Sequence, residues 1–183
     1  ALNFDSFGHT RGLVQIIRKC GQDSYIFVRP FGGELDLPDD FFWWEGFDGS
    51  RIKAFRSPTY NSTYFGCAKG HCQGVKGGRE DREIWMCLWG VGNHGGGPSR
   101  KDLADIKEWM ESDDQCRIMH STPEEFFKRA EPTADFDQSL RISMPGCYTS
   151  ASELKRKHIA LENSLYSTER ALSAAALSGL VTY

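Results

Sequence analysis

Two short apolar runs constrain the fold of this chain more than any other feature. They are Tyr25-Ile26-Phe27-Val28, which ends at Arg29-Pro30, and Ile84-Trp85-Met86-Cys87-Leu88-Trp89, which leads into Gly90. Unbroken apolar runs of this length, closed by turn residues, suit strands buried on both faces, as in parallel sheets. Helical patterns flank them. Leu13, Ile16, Ile17 and Cys20 share one face of a helix over residues 11–20, and Gly21 stands where a helix ends. Ser99, with Asp102 three residues on, predicts a capped helix whose inner face is Leu103, Ile106 and Met110. Cys116-Arg117-Ile118-Met119 reads as another strand, and Thr122-Pro123-Glu124-Glu125 opens a short helix with proline at its first position. Residues 39–56 read as a hairpin around Asp48-Gly49-Ser50. Residues 57–82 read as a long, partly irregular excursion.

Strand, loop and helix in alternation predict an α/β fold, a parallel layer or part of a (β/α) barrel. Asp5, Arg29 and the Asn93-His94 pair each follow a predicted strand. In parallel barrels that end of the strands builds the active site, so three separate polar positions are expected to converge there.

Residues 129–150 are polar and read as a crossover. From about Ala151 the character changes: Leu154, His158, Leu161, Leu165, Thr168, Leu172 and Ala175 recur at alternating spacings of four and three. That stripe lies along a helix of about 25 residues, about 37 Å long. Ser150 and Glu153 predict a capping-box start. The expected division is a partial catalytic barrel over 1–134 and, over 135–183, the first helix of a helical bundle. The alternatives are that the helix packs back on the first unit or self-associates as a homo-oligomer.

Composition narrows the partners. Charged residues make up 26% of the chain and the net charge is −3, without a basic run, which argues against nucleic acid. No apolar stretch approaches the ~20 residues of a membrane span. Ala1 in place of an initiator Met suggests a processed, trimmed or truncated chain. Of the six cysteines, three lie in or beside apolar runs, which favours buried reduced thiols and a cytoplasmic setting. Cys67, His71 and Cys72 are three potential zinc ligands, but no second pair follows at zinc-finger spacing, so an exposed loop is expected there. Gly90-x-Gly92-x-x-Gly95 after a strand has the form of a dinucleotide fingerprint; a helix that starts only near Ser99 is too late for it.

Three motifs in order carry a family resemblance: Asn3-Phe4-Asp5-Ser6-Phe7-Gly8-His9, then Gly90-Val91-Gly92-Asn93-His94-Gly95-Gly96-Gly97-Pro98, then Gly146-Cys147-Tyr148-Thr149-Ser150. They resemble the α-mannosidases of glycoside hydrolase family 38. The resemblance implies a retaining glycosidase that hydrolyses terminal α-mannosyl bonds of glycans. Asp5 would be both nucleophile and zinc ligand, with the zinc holding sugar hydroxyls. His9 would support this motif without binding metal. It implies an Arg near the nucleophile, which Arg29 supplies; its charge would stabilise that of Asp5. Phe42-Trp43-Trp44-Glu45-Gly46-Phe47-Asp48-Gly49-Ser50 resembles a further family run, making Trp44 and Asp48 candidate sugar contacts; hairpin packing explains them equally well. Asn93 and His94 would line the mannose site, with His94 a candidate metal ligand.

Three departures qualify the resemblance. Asn93 stands where the family has Asp and cannot donate a catalytic proton. Arg141-Ile142-Ser143-Met144-Pro145 has no His where a zinc ligand is expected, and only four residues precede Asp5, leaving no place for an upstream His-x-Asp motif. The isolated chain is therefore expected to be an inactive fragment that lacks the upstream part of its polypeptide. A degenerate carbohydrate-binding or structural piece is the alternative.

Overall fold

Burial of the central strands on both faces explains the architecture. In the computed structural model, which describes residues 1–78, 82–92, 94–140 and 143–182, five strands form one mixed sheet. They are β1 (Leu2–Asn3), β2 (Ser24–Phe27), β3 (Phe41–Glu45), β4 (Arg51–Arg56) and β5 (Ala134–Phe136), in the order β1-β2-β4-β3-β5. β1, β2 and β4 run parallel, and β3 is antiparallel to β4 and parallel to β5. Helix α1 (Gly12–Lys19) crosses over from β1 to β2. The fold is thus α/β, with an open sheet among the described residues.

Alternate residues face opposite sides of a strand. Tyr25, Phe27, Phe42, Trp44, Ile52 and Ala54 form one core with Val14 and Ile17 of α1 and with Leu140. Ile26, Phe41 and Phe55 form a second core on the other face with Phe126, Phe127 and Ala130. These last three lie in or beside α4 (Pro123–Arg129), whose N-cap Thr122 accepts a hydrogen bond from the Glu125 N–H, as its sequence predicts. Lys53 sits on this second face without stranding its charge. Its Nζ donates to the carbonyls of Phe127 and Ala130 at 2.6 and 3.0 Å and pairs with Glu131. A cation on the orphan carbonyls of a helix C-terminus satisfies both groups.

Several expected elements take another form. The run Ile84–Trp89 has no regular secondary structure and joins no ladder. Trp85, Met86 and Leu88 instead cover the second face of the sheet, with the Trp85 ring 4.9 Å from that of Phe55. Apolar content and β-branching do not make a strand when the segment packs on a sheet face rather than along its edge. Residues 116–119 likewise form no strand; the Cys116 N–H donates to the Asp113 carboxylate. The expected crossover contributes β5, paired with β3. The irregular excursion contains α2 (Ala68–Gly77), so His71 and Cys72 lie in a helix rather than a loop and Cys67 stands just before it, with Ala68 and Cys72 buried. In α1, Val14 takes the inner position and Ile16 is exposed.

The Ser99 cap opens α3 (Arg100–Ser112), its side chain accepting from the Asp102 N–H. The buried face of α3 is Asp102, Ile106 and Trp109, with Leu103 exposed. Asp102 draws the helix round. Its carboxylate accepts from the Ala68 N–H at 3.0 Å, at the first turn of α2, and from the Ser99 hydroxyl.

The chain divides into two units, Ala1–Ser143 and Met144–Tyr183. The second holds α5 (Gly146–Thr149) and the long α6 (Ser152–Leu177). Ser150 does not cap α6. The cap position is Ala151, with φ 50°, while the Ser150 N–H donates to Gly146 within α5. No residue of α6 is buried, and Leu154, Leu161, Leu165 and Leu172 of the expected stripe are exposed.

Candidate active site

Parallel strands place the residues that follow them at one edge. Asp5 lies two residues past β1 and Arg29 two past β2, and the structure brings them together: Arg29 Nε donates to Asp5 Oδ1 at 2.9 Å. The Arg29 side chain is 19% exposed and that of Asp5 65%, so the cation is held under an accessible carboxylate. Two rings fix the guanidinium, Phe31 at 4.5 Å and Phe7 at 5.5 Å from ring centroid. An arginine stacked on aromatic faces loses orientational freedom and keeps its donors aimed.

The loop after β2 is closed by a residue sequence reasoning passed over. Glu34 accepts from the Phe31 N–H and from the Ser143 hydroxyl, each at 2.6 Å. These bonds, Ser143 first and with Arg29 contributing, hold its carboxyl below the usual range. The spacing Phe31-Gly32-Gly33-Glu34 is a turn signal that could have found it. Ser143 is buried and occupies the stretch where the resemblance implies a zinc-binding His.

His9 lies beneath. It is buried, with Nδ1 2.7 Å from the Tyr25 hydroxyl. Its Nε2 makes no full hydrogen bond, although the backbone of Ser6 and Arg29 approaches the ring. Burial lowers its pKa despite those backbone groups, so it is a neutral core histidine. Burial also pushes the Tyr25 hydroxyl up to about 12, against a side-chain hydrogen bond with Asn3.

The segment after β4 brings in the glycine loop. The Ser62 N–H donates to the Gly90 carbonyl at 2.9 Å, and Thr63 bridges Val91. The loop closes on itself through Val91 N–H to Gly97 O and Gly96 N–H to Gly92 O, both 2.9 Å. A Cβ on Gly96 would stand 2.1 Å from the Val91 oxygen, so only glycine closes this turn. His94 is exposed on the loop with φ 56°. Asn93 lies outside the described residues. Helix α3 begins at Arg100, so its N-terminal amides are removed from the glycines, unlike a dinucleotide fingerprint.

Two expected sugar contacts, Trp44 and Asp48, lie apart from the Asp5–Arg29 pair. Trp44 is wholly buried, and its indole N–H donates to the Gln138 carbonyl at 2.8 Å. It has no free face on which a sugar could stack. Asp48 lies in the turn between antiparallel β3 and β4, where it accepts from the Ser50 N–H and pairs with Lys19. That turn precedes β4, whereas Asp5 and Arg29 follow the parallel strands. Asp48 is therefore at the opposite end of the sheet, a six-residue strand away, about 20 Å.

Zinc does not fit these residues as a self-contained site. No three His, Cys, Asp or Glu side chains converge as a metal centre among the described residues. The neighbour of Asp5 is a cation, which opposes a second positive charge. No helix among the described residues is long and apolar enough to cross a membrane.

Residues 1–145 match the glycosyl hydrolases family 38 N-terminal domain. Alpha-mannosidase G of Dictyostelium discoideum is 30% identical over 178 residues, 90% of this chain and 16% of that protein. Alpha-mannosidase 2C1 of Homo sapiens is 27% identical over 184 residues, 95% of this chain and 17% of that protein. The Mus musculus 2C1 protein is 27% identical over 182 residues, with the same coverage. The chain thus spans about a sixth of the length of these curated relatives.

Proposed function

The chain belongs to glycosyl hydrolase family 38, and on that premise we propose that it forms part of an α-mannosidase that hydrolyses terminal α-mannosyl bonds of glycans with retention. The observation that supports this reading is the Asp5–Arg29 pair: an exposed carboxylate, oriented by a stacked arginine, at the carboxyl end of parallel strands. In the proposed reaction an Asp5 oxygen attacks the anomeric carbon as the bond to the leaving oxygen breaks. The resulting mannosyl ester is then cleaved by water at the same carbon, restoring the starting configuration. Arg29 keeps its second Asp5 oxygen in place and moderates the charge that the carboxylate carries between cycles.

In this proposal the described sheet is a later part of a catalytic barrel, and α6 is the first helix of a bundle domain. A zinc ion would need ligands from elsewhere in the whole polypeptide; from this region Asp5 would contribute one oxygen, with His94 a second candidate, and the metal would supply charge that holds sugar hydroxyls. The unpaired cysteines support a reducing, cytoplasmic setting.

One observation favours a second reading. A retaining glycosidase also needs an acid to protonate the leaving oxygen. Glu34, the carboxyl beside Arg29, is held ionised by its hydrogen bonds and is unsuited to that task. A sugar-binding or structural piece without turnover is the alternative.

The test is aryl α-mannoside hydrolysis, with zinc added, by the polypeptide that contains these residues and by its Asp5→Asn variant. Asp5-dependent release of α-configured mannose is expected. Mannose binding without turnover, unchanged in Asp5→Asn, would favour the second reading. Neither binding nor turnover would refute both. The 183-residue chain alone is expected to be inactive.

A further inference from the structure

Helix α2 presents a thiol that the mannosidase reading does not use. Its Cys72 is buried at 9% exposure and hydrogen-bonds the half-buried Cys87 thiol of the run 84–89. A second contact between the same two segments fixes their approach. His71 Nε2 lies 3.1 Å from the Leu88 carbonyl, and because a carbonyl only accepts, Nε2 is the donor. Other cysteines have different surroundings. Cys67 Sγ faces the Ser62 and Tyr64 carbonyls, Cys116 meets Lys76, and Cys20 and Cys147 are exposed on other elements.

We propose that Cys72 and Cys87 form a reversible disulfide when the protein meets a low-molecular-weight disulfide such as oxidised glutathione, tying α2 to the segment that leads into the glycine loop. The two thiols are unequal, which orders the exchange. The hydrogen bond from Cys87 lowers the Cys72 pKa against its burial. The same bond, then burial, then the negative charge of Cys72, raises that of Cys87. Cys72 is therefore the thiolate that attacks first. Its sulfur bonds to one sulfur of glutathione disulfide, that S–S bond breaks, and one glutathione thiolate leaves. The capped Cys72 no longer carries the charge that held the Cys87 proton. Cys87 gives that proton to the departed thiolate and attacks the Cys72 sulfur, expelling the second glutathione as a thiolate, which takes up from water the proton that Cys72 released on ionising. Two cysteines lose two protons and two electrons, and one disulfide becomes two thiols.

The Cys87 bond would act on the site through its neighbours. Leu88, Trp89 and Gly90 follow directly, and Gly90 is anchored by Ser62. A covalent tie at residue 87 limits the excursions of the loop that bears His94.

The test uses the full chain, incubated with oxidised glutathione and read by intact mass, thiol titration and non-reducing tryptic mapping. Expected is the loss of two hydrogens, a fall from six free thiols to four, and a linked pair of peptides, residues 70–76 with 83–100. Dithiothreitol should reverse all three. In Cys87→Ser the exchange should stall with glutathione held on Cys72. Six intact thiols, a link between other cysteines, or a stable glutathione adduct on wild-type Cys72 would each overturn the proposal.

Discussion

Replacing Asp102 tests the account of how the irregular middle of the chain is held. Its carboxylate is wholly buried and joins two helix starts, accepting from the Ala68 N–H of α2 and the Ser99 hydroxyl before α3. A hydrogen bond to a charged group contributes about 1.5–3 kcal/mol, and a stranded buried donor costs about 1–3 kcal/mol. Asp102→Ala leaves the Ala68 amide and the Ser99 hydroxyl, and the nearby Gly66 amide, without this acceptor. The Ser99 hydroxyl can rotate toward another oxygen but the Ala68 amide cannot, so the expected loss is about 3–4 kcal/mol rather than the full sum. Asp102→Asn keeps one acceptor oxygen and should lose about 1–2 kcal/mol. Urea unfolding followed by tryptophan fluorescence gives both values as midpoint shifts at constant slope. The pH dependence adds a second reading. Burial pushes the Asp102 pKa up, but hydrogen bonds from Ser99 and from the Ala68 and Gly66 backbone outweigh it, leaving the pKa lowered. A folded-state pKa below the unfolded value of about 3.9 stabilises the fold above that pH. The stabilisation is lost as pH falls through the folded value. The gap between wild type and Asp102→Asn should hold from pH 7 to about 5 and close below about 4. A loss within about 0.5 kcal/mol for Asp102→Ala, or an unchanged gap at low pH, would refute the reasoning.

Three further outcomes follow from the same structure. Trp44→Ala should destabilise by about 3–5 kcal/mol, whereas Trp44→Phe loses mainly the Gln138 hydrogen bond, about 1 kcal/mol, in chemical denaturation. If Trp44 instead contacted sugar, mannoside affinity would fall in Trp44→Phe while stability held. His9 has a lowered pKa, so its stabilisation is full above the unfolded value of about 6.5 and is lost as pH falls through the lower folded value; His9→Gln should flatten wild type's decline across that window in pH-dependent urea melts. Arg29→Gln removes the partner of an exposed carboxylate, so stability should change by no more than about 1 kcal/mol. On the proposed function, the kcat/KM for an aryl α-mannoside of the polypeptide that contains these residues should nevertheless fall tenfold or more, a transition-state loss of about 1.4 kcal/mol or greater, and unchanged kcat/KM would remove Arg29 from the proposed site.

What could be read from sequence was what local chemistry decides. The Ser99 and Thr122 caps, the Gly21 stop and the Asp48-Gly49 turn act within a few residues, and all stand as expected. The parallel placement of Asp5 beside Arg29 was also legible, because residues after parallel strands share an edge. Long-range partners were not. Helix α2 carries Gly70, Gly74 and Gly77 and has no side-chain cap of its own; the acceptor at its first turn is Asp102, thirty-four residues away. The run 84–89 has strand composition, but its destination is the aromatic face formed by Phe55 and Phe126. Trp44 and Asp48 sit in a motif with a family likeness; side-chain alternation along β3 turns Trp44 to the core, and strand direction puts Asp48 at the far end. Glu34 escaped notice because its role depends on Ser143, a contact across 109 positions.

Helix α6 divides the spectroscopy of this chain. Its twenty-six residues bury no side chain, so its order rests on its own hydrogen bonds and propensity. Such a helix melts gradually and exchanges its amide hydrogens by fraying, while the sheet opens as a cooperative unit. All five tryptophans lie between residues 43 and 109, outside α6. Fluorescence therefore follows the unit Ala1–Ser143, and far-ultraviolet ellipticity weights the helix. Two probes of one sample should disagree about the midpoint of unfolding, and the disagreement would measure how independent the two parts of the polypeptide are.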